Sequence, residues 1–232
     1  MTPRTSSAAW VRGITDMLTA QGLPAADLCT QAGIDLQALQ QPHTRVDVDR
    51  VSHLWELAVA RHGNPALGLD RNLTARYGNV DLVGYALASG PDLLTGFRHL
   101  ERHMAVISDA TTFALQSDPR GYWLVLSHIG ATRPIPRQRV EYAVLTLLTL
   151  CHWLTRRELT PLAVELITPP PADDTPHRAA FGLLPRFGQP ANRFLLADVD
   201  LRSPIPTHNP SLWALHERLV ETELDQLGQT LT

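Results

Sequence analysis

Apolar residues recur along the first hundred positions with a helical period. Trp10, Val11, Ile14, Met17 and Leu18 share one face, and Gly22 supplies a stop. Leu23-Pro24 opens a short helix that ends near Gly33, and Asp35 is placed to cap a turn through Leu39 before Pro42 interrupts it. Asp49 is the expected N-cap of the next helix, whose Val51, Leu54, Trp55, Ala58 and Val59 form an amphipathic stripe closed by Gly63. Asn64-Pro65 starts the following turn. Val80 to Ala88 reads as helix. Ser89-Gly90-Pro91-Asp92 then starts another, which buries Leu93, Phe97, Leu100, Met104 and Ile107 and turns Arg98, Glu101 and Arg102 away.

After residue 108 the period changes. Thr111 to Gln116 and Tyr122 to Ile129 alternate as strands do, and Ser117-Asp118-Pro119-Arg120-Gly121 between them has the chemistry of a tight turn. A hairpin of two antiparallel strands is predicted. A long helix follows from about Arg137 to Leu159, with Val140, Val144, Leu147, Cys151 and Leu154 as its main stripe and Leu145, Leu148 and Trp153 widening it. A helix so broadly apolar must be covered on several sides, by the sheet and another layer or by a second subunit. Leu162 to Ile167 reads as a strand broken by Pro169-Pro170-Pro171, His177 to Phe181 as a short helix, and Arg193 to Leu196 as a strand. Asn209-Pro210 caps a last helix through Leu215, Leu219 and Leu224. The expected class is α+β, a single domain over residues 1–232 with a helical N-terminal part (about 8–108) followed by an antiparallel sheet covered by helices (about 109–226).

Composition narrows the function. The chain has 232 residues, 44% of them hydrophobic, and a net charge of −3. That describes a folded chain and not a dedicated nucleic-acid domain, which is usually strongly basic. Every basic residue is arginine, the side chain suited to bidentate pairing with carboxylate or phosphate. Cys29 and Cys151 fit no metal motif and no disulfide framework. The N-terminus carries no signal-peptide pattern, and the most apolar run, Val140 to Leu154, is interrupted by Glu141 and His152. A cytoplasmic location without membrane contact is expected.

No nucleophile elbow, P-loop, dinucleotide fingerprint or H-E-x-x-H zinc motif is present. Neither a catalytic residue nor a metal or other cofactor is therefore expected. His99 and His103 lie four apart on a helix and have the spacing to share a metal, but they lack clear further ligands beyond Glu101 or His152, and they read as a solvated helix face. Arg133, Arg137 and Arg139 cluster before the long helix and are able to receive an anion, although an exposed helix entrance is the plainer reading. Tyr85, Tyr122, Trp123, Tyr142 and Trp153 suit either a mostly apolar pocket or an ordinary core. The candidate ligand contacts are Tyr85, His103, His128, Arg137, Tyr142, His152 and Trp153.

The order of several loose motifs resembles a family. Tyr77-Gly78-Asn79-Val80 through Gly84-Tyr85-Ala86-Leu87-Ala88-Ser89, then Pro91-Asp92-Leu93-Leu94, is similar to a segment of AraC-type transcription regulators. Pro161-Leu162-Ala163-Val164-Glu165-Leu166, Phe187-Gly188-Gln189-Pro190 and Leu201-Arg202-Ser203-Pro204-Ile205-Pro206 agree with it in order and spacing. Asn79, Asp92, Gly96 and Ala191-Asn192 depart from it. The resemblance covers roughly Ala8 to Leu224 and is to the N-terminal effector domain labelled arabinose-binding. It implies a small-molecule effector, a homodimer, and DNA binding only through a C-terminal helix-turn-helix domain that this sequence does not contain. It does not carry over a sugar as the effector. A ligand is expected between the helical part and the sheet, with the helix from Arg137 transmitting or dimerising. The alternatives are a ligand-independent dimerisation module and, behind it, a hydrolase or metal enzyme using His99, His103 or His152.

Overall fold

The computed structural model describes residues 4–41 and 43–230, with side chains to residue 228. Pro42, expected to interrupt the turn after Leu39, lies outside the described residues. Two short strands open the chain and frame its first helices. β1 (Thr5–Ser7) pairs antiparallel with β2 (Arg45–Asp47), aligning Ser6 with Val46. Between them run α1 (Ala8–Ala20), α2 (Ala25–Ala32) and a single 3-10 turn at Ala38–Gln40. This strand pair has no sequence signature, because three residues are too few to show alternation. Ser7 caps α1 by accepting the Trp10 amide, and Gly33 ends α2 in the left-handed region.

α3 (Val48–His62) starts two residues earlier than its pattern suggests. Its N-cap is Asp47, which accepts the Asp49 amide. Asp49 instead reaches across to the loop before the long helix and accepts from the amides of Thr132 and Arg133. α4 (Asp81–Ser89) and α5 (Leu93–Ile107) follow, with Asp92 capping α5 through the Thr95 amide.

The main sheet has the order β3-β4-β6-β5, with every neighbour antiparallel. Its strands are β3 (Thr111–Asp118), β4 (Gly121–His128), β5 (Ala163–Glu165) and β6 (Asn192–Ala197). Alternation sorts the residues onto two faces. Phe113, Leu124, Leu126, Val164, Phe194 and Leu196 point to the large core, whereas Trp123, Val125 and Leu195 form a smaller cluster on the other face. That outer face is closed by Arg193, which lies 4.2 Å over the Trp123 ring and pairs with Glu165 at 2.6 Å.

α6 (Arg137–Thr155) crosses between the sheet and the first helices. Val144, Leu148 and Cys151 join the core shared with the sheet, while Tyr142 joins the core of α1, α2 and α3. Nearly the whole circumference of α6 is therefore buried within one chain, and Leu148 is fully covered. The helix ends at Thr155 and not at Leu159, because Arg156 adopts a left-handed conformation and the Arg157 amide returns to the His152 carbonyl. α7 (Thr175–Phe181), α8 (Asp198–Leu201) and α9 (Pro210–Thr230) complete the chain. Asn209 caps α9. α9 packs Trp213, Val220 and Leu224 against the core and leaves Leu212, Leu215 and Leu219 exposed. The architecture is α+β, with nine α-helices among the described residues.

Candidate functional site: a lined cavity between the helices and the sheet

A cavity of about 50 Å³ lies where α1, α3, α5 and α6 meet the ends of β3 and β4. Its wall is mainly apolar, from Ile14, Leu100, Met104, Ile107, Leu126 and Leu147, with Trp10 and Trp55 as aromatic panels. Tyr142 stands between those two indoles, with centroids 5.8 and 5.4 Å away. Its hydroxyl donates to the Gly13 carbonyl, and burial raises its pKa. The close packing depends on Gly68, whose φ is +94° and where a Cβ would stand 3.0 Å from the Trp55 ring.

Polar groups are few but specific. Arg139 lines the cavity from the first turns of α6 and is 5% exposed. Its Nη1 donates to the Ser52 hydroxyl at 2.7 Å and to the Val48 carbonyl at 3.2 Å. It forms no ion pair among the described residues, and burial lowers its pKa to about 10 despite the field of Asp49. His128, at the end of β4, brings a ring whose Nδ1 is buried without a hydrogen-bond partner. Burial, and then the charge of Arg139, push its pKa down to about 3, so it is a neutral imidazole. The Trp55 Nε1 is likewise buried without a partner. Buried polar atoms are rarely left unpaired in a finished core. Here three of them, with the Thr146 Oγ1 as the third, belong to residues lining one cavity.

Of the seven residues expected at a ligand site, the structure brings His128 and Tyr142 to this cavity. The other five stand elsewhere. Arg137 donates to Glu141 at 2.7 Å and to the Pro169 carbonyl, within a buried cluster in which His177 meets Glu141 at 3.0 Å. His152 bonds the Leu159 carbonyl and Arg71 at the far end of α6. Tyr85 and Trp153 are exposed and flank Tyr77, with Arg76 over the indole of Trp153. His103 stacks on His99 with centroids 4.2 Å apart, beneath α9 and outside the cavity wall.

That histidine pair corrects the expectation of a solvated face, since His99 is 1% and His103 5% exposed. The helix turns them inward because α9 covers this side of α5. No cluster of three or more His, Cys, Asp or Glu suited to a metal occurs among the described residues. The three arginines before α6 also part company. Arg133 pairs with Glu56, Arg137 with Glu141, and Arg139 enters the cavity. Arg139, Trp10 and Trp55 were absent from the expected set, because nothing in the sequence distinguishes the unpaired arginine from its paired neighbours. No helix among the described residues is long and apolar enough to cross a membrane.

Comparison with known proteins agrees with this architecture. The chain is 23% identical over 224 residues to the ornithine utilization regulator of Pseudomonas aeruginosa, covering 94% of this chain and 65% of that protein. It thus spans just under two thirds of that relative's length. The crystal structure of the transcriptional regulator CdpR from Pseudomonas aeruginosa superposes with a TM-score of 0.56 at 15% identity, covering 86% of this chain and 63% of that one, which is a likeness of fold. Residues 22–205 match the family described as the N-terminal arabinose-binding domain of AraC transcription regulators, and the chain belongs to that family of regulatory effector-binding domains.

Proposed function

We propose that this chain is the sensing domain of a transcription regulator, that a small molecule binds in the cavity beside Tyr142, Arg139 and His128, and that occupancy controls a DNA-binding domain outside this sequence. The observation that carries the reading is the cavity itself, where an apolar wall surrounds a few polar groups left without protein partners. Family membership supports a regulatory role and no catalytic one. Of the candidate contacts, His128 and Tyr142 are retained as ligand contacts and Arg139 is added.

The wall also supports a route outward. α5 contributes Leu100, Met104 and Ile107 to the cavity, and its His99 rests against Trp213 of α9, with ring centroids 5.2 Å apart. Between these contacts His103 has non-helical angles, φ −116° and ψ 15°. A ligand that favours one setting of this kink shifts α9, provided it binds one state better than the other. The exposed row of Leu212, Leu215 and Leu219 on α9 supports a second copy packing there. α6, expected to dimerise, is covered inside its own chain.

Thermal unfolding against ornithine and other amino acids, sugars, fatty acids and aromatic acids tests the sensing role. A ligand specific to the folded state adds about 2.7 kcal/mol at one hundred times its dissociation constant. Ala143→Phe, which fills the cavity from α6, should abolish that response in a still-folded chain. The rival reading, a dimerisation module without a ligand, requires a flat response from the whole panel.

A further inference from the structure

We infer that the cavity selects a short-chain carboxylic acid, whose carboxylate is received by Arg139 and whose apolar tail lies against Trp10, Trp55 and Leu100. This rests on the sensing role proposed above and names the chemistry of the ligand.

Arg139 carries the argument. A buried guanidinium ordinarily has a carboxylate beside it, since an isolated buried charge is costly. Here both hydrogen bonds leave from Nη1 and go to neutral oxygens, of Ser52 and Val48. The nearby acid, Asp49, accepts instead from Thr132 and Arg133. The rest of the fork has no protein acceptor among the described residues, and guanidinium geometry matches a carboxylate in bidentate fashion.

The lining excludes other classes. It contains no Asp or Glu, so an ammonium group would enter without an anionic partner and beside the Arg139 guanidinium. That disfavours amino acids and polyamines. A sugar would find hydroxyl partners in Ser108, Thr111 and Thr146 but is too large for a cavity of about 50 Å³. Size sets the tail. A cavity of about 50 Å³ is well below the roughly 150 Å³ that accepts benzene, so it takes a carboxylate smaller than benzene, one of two or three carbons. The unpartnered Trp55 Nε1 is a further donor on a residue of the same lining.

The test compares acetate, its uncharged isostere acetamide, and glycine on the 232-residue chain, by thermal shift and titration calorimetry. Acetate should bind saturably, and acetamide and glycine should bind more weakly by roughly 10- to 100-fold. Arg139→Met should erase the preference of acid over amide, and Arg139→Lys should keep part of it. The comparison within the unaltered chain stands even if Arg139→Met fails to fold. Equal binding of acetate and acetamide, or an acid preference that survives in Arg139→Met, overturns the inference. So does a flat response to formate, acetate and propionate alike. If a neutral or cationic compound from the wider panel then binds and Ala143→Phe blocks it, the sensing role survives and only the ligand class falls. If nothing binds, both fall.

Discussion

Arg139 Nη1 donates to the Ser52 hydroxyl at 2.7 Å, joining the first turns of α6 to α3 beside the cavity, and no carboxylate joins them among the described residues. An arginine kept for the architecture would be expected in a complete ion pair, whose disruption costs about 3–5 kcal/mol. An arginine kept for a ligand burdens the empty protein instead. Arg139→Met should therefore change the stability of the ligand-free chain by no more than about 1 kcal/mol in a urea titration. A loss near 3 kcal/mol would make Arg139 part of the scaffold.

Acid should unfold this chain earlier than an ordinary domain. Burial, then the charges of His103 and Arg102, hold the pKa of His99 at about 4. The unfolded chain binds that proton near pH 6.5, so stability is full above this pH and falls as pH drops towards 4. The loss from His99 approaches 3 kcal/mol by linkage, in order of magnitude. His128, held at about 3, extends the same trend to lower pH. Urea titrations between pH 7 and 4 should show this slope, and His99→Phe should flatten it. An unchanged slope in His99→Phe would assign the trend to other groups.

Leu148 separates packing from assembly. It is fully buried on α6, in the core shared with the sheet. Leu148→Ala should lower stability by about 2–5 kcal/mol, and a charged residue there should prevent folding. A charged variant that folds as a soluble monomer would instead place this side chain at a subunit contact.

Gly84 fixes how α4 sits on the turn at Tyr77–Asn79. A Cβ at this position would lie 1.8 Å from the Tyr77 carbonyl oxygen. Gly84→Ala should cost at least about 2 kcal/mol, because backbone and not a flexible side chain must move. Circular dichroism melts would show it, and an unchanged midpoint would mean that the turn yields freely.

Assembly through α9 predicts a different signature. Leu215→Glu alters a residue that is 42% exposed, so the melting midpoint at low concentration should stay within a few degrees. Sedimentation velocity should show the self-association constant weakened by roughly tenfold or more. A dimer unaffected by Leu215→Glu and Leu219→Glu together would move the contact elsewhere.

The period of apolar residues, with caps and glycine stops, determined most of the elements. Trp10 to Leu18, the Asp92-capped helix and the hairpin around Pro119 each advertise themselves through neighbours a few residues apart. Local signals became ambiguous where two neighbours offered the same chemistry. Asp47 and Asp49 are both good caps, and only the approach of Thr132 draws Asp49 away from that role. Arg156 ends α6 by a left-handed turn that no glycine announces. The cavity was further from view, since its walls come from α1, α3, α5, α6 and the hairpin, more than a hundred residues apart at the extremes. The sequence by itself determined which segments are helix and strand and that each has an apolar face. Tertiary structure alone decided that His99 turns inward under α9 and that Arg139, among three closely spaced arginines, is buried without an acid. Burial and pairing depend on which distant segment arrives opposite a side chain, and the local period of a sequence carries no record of that.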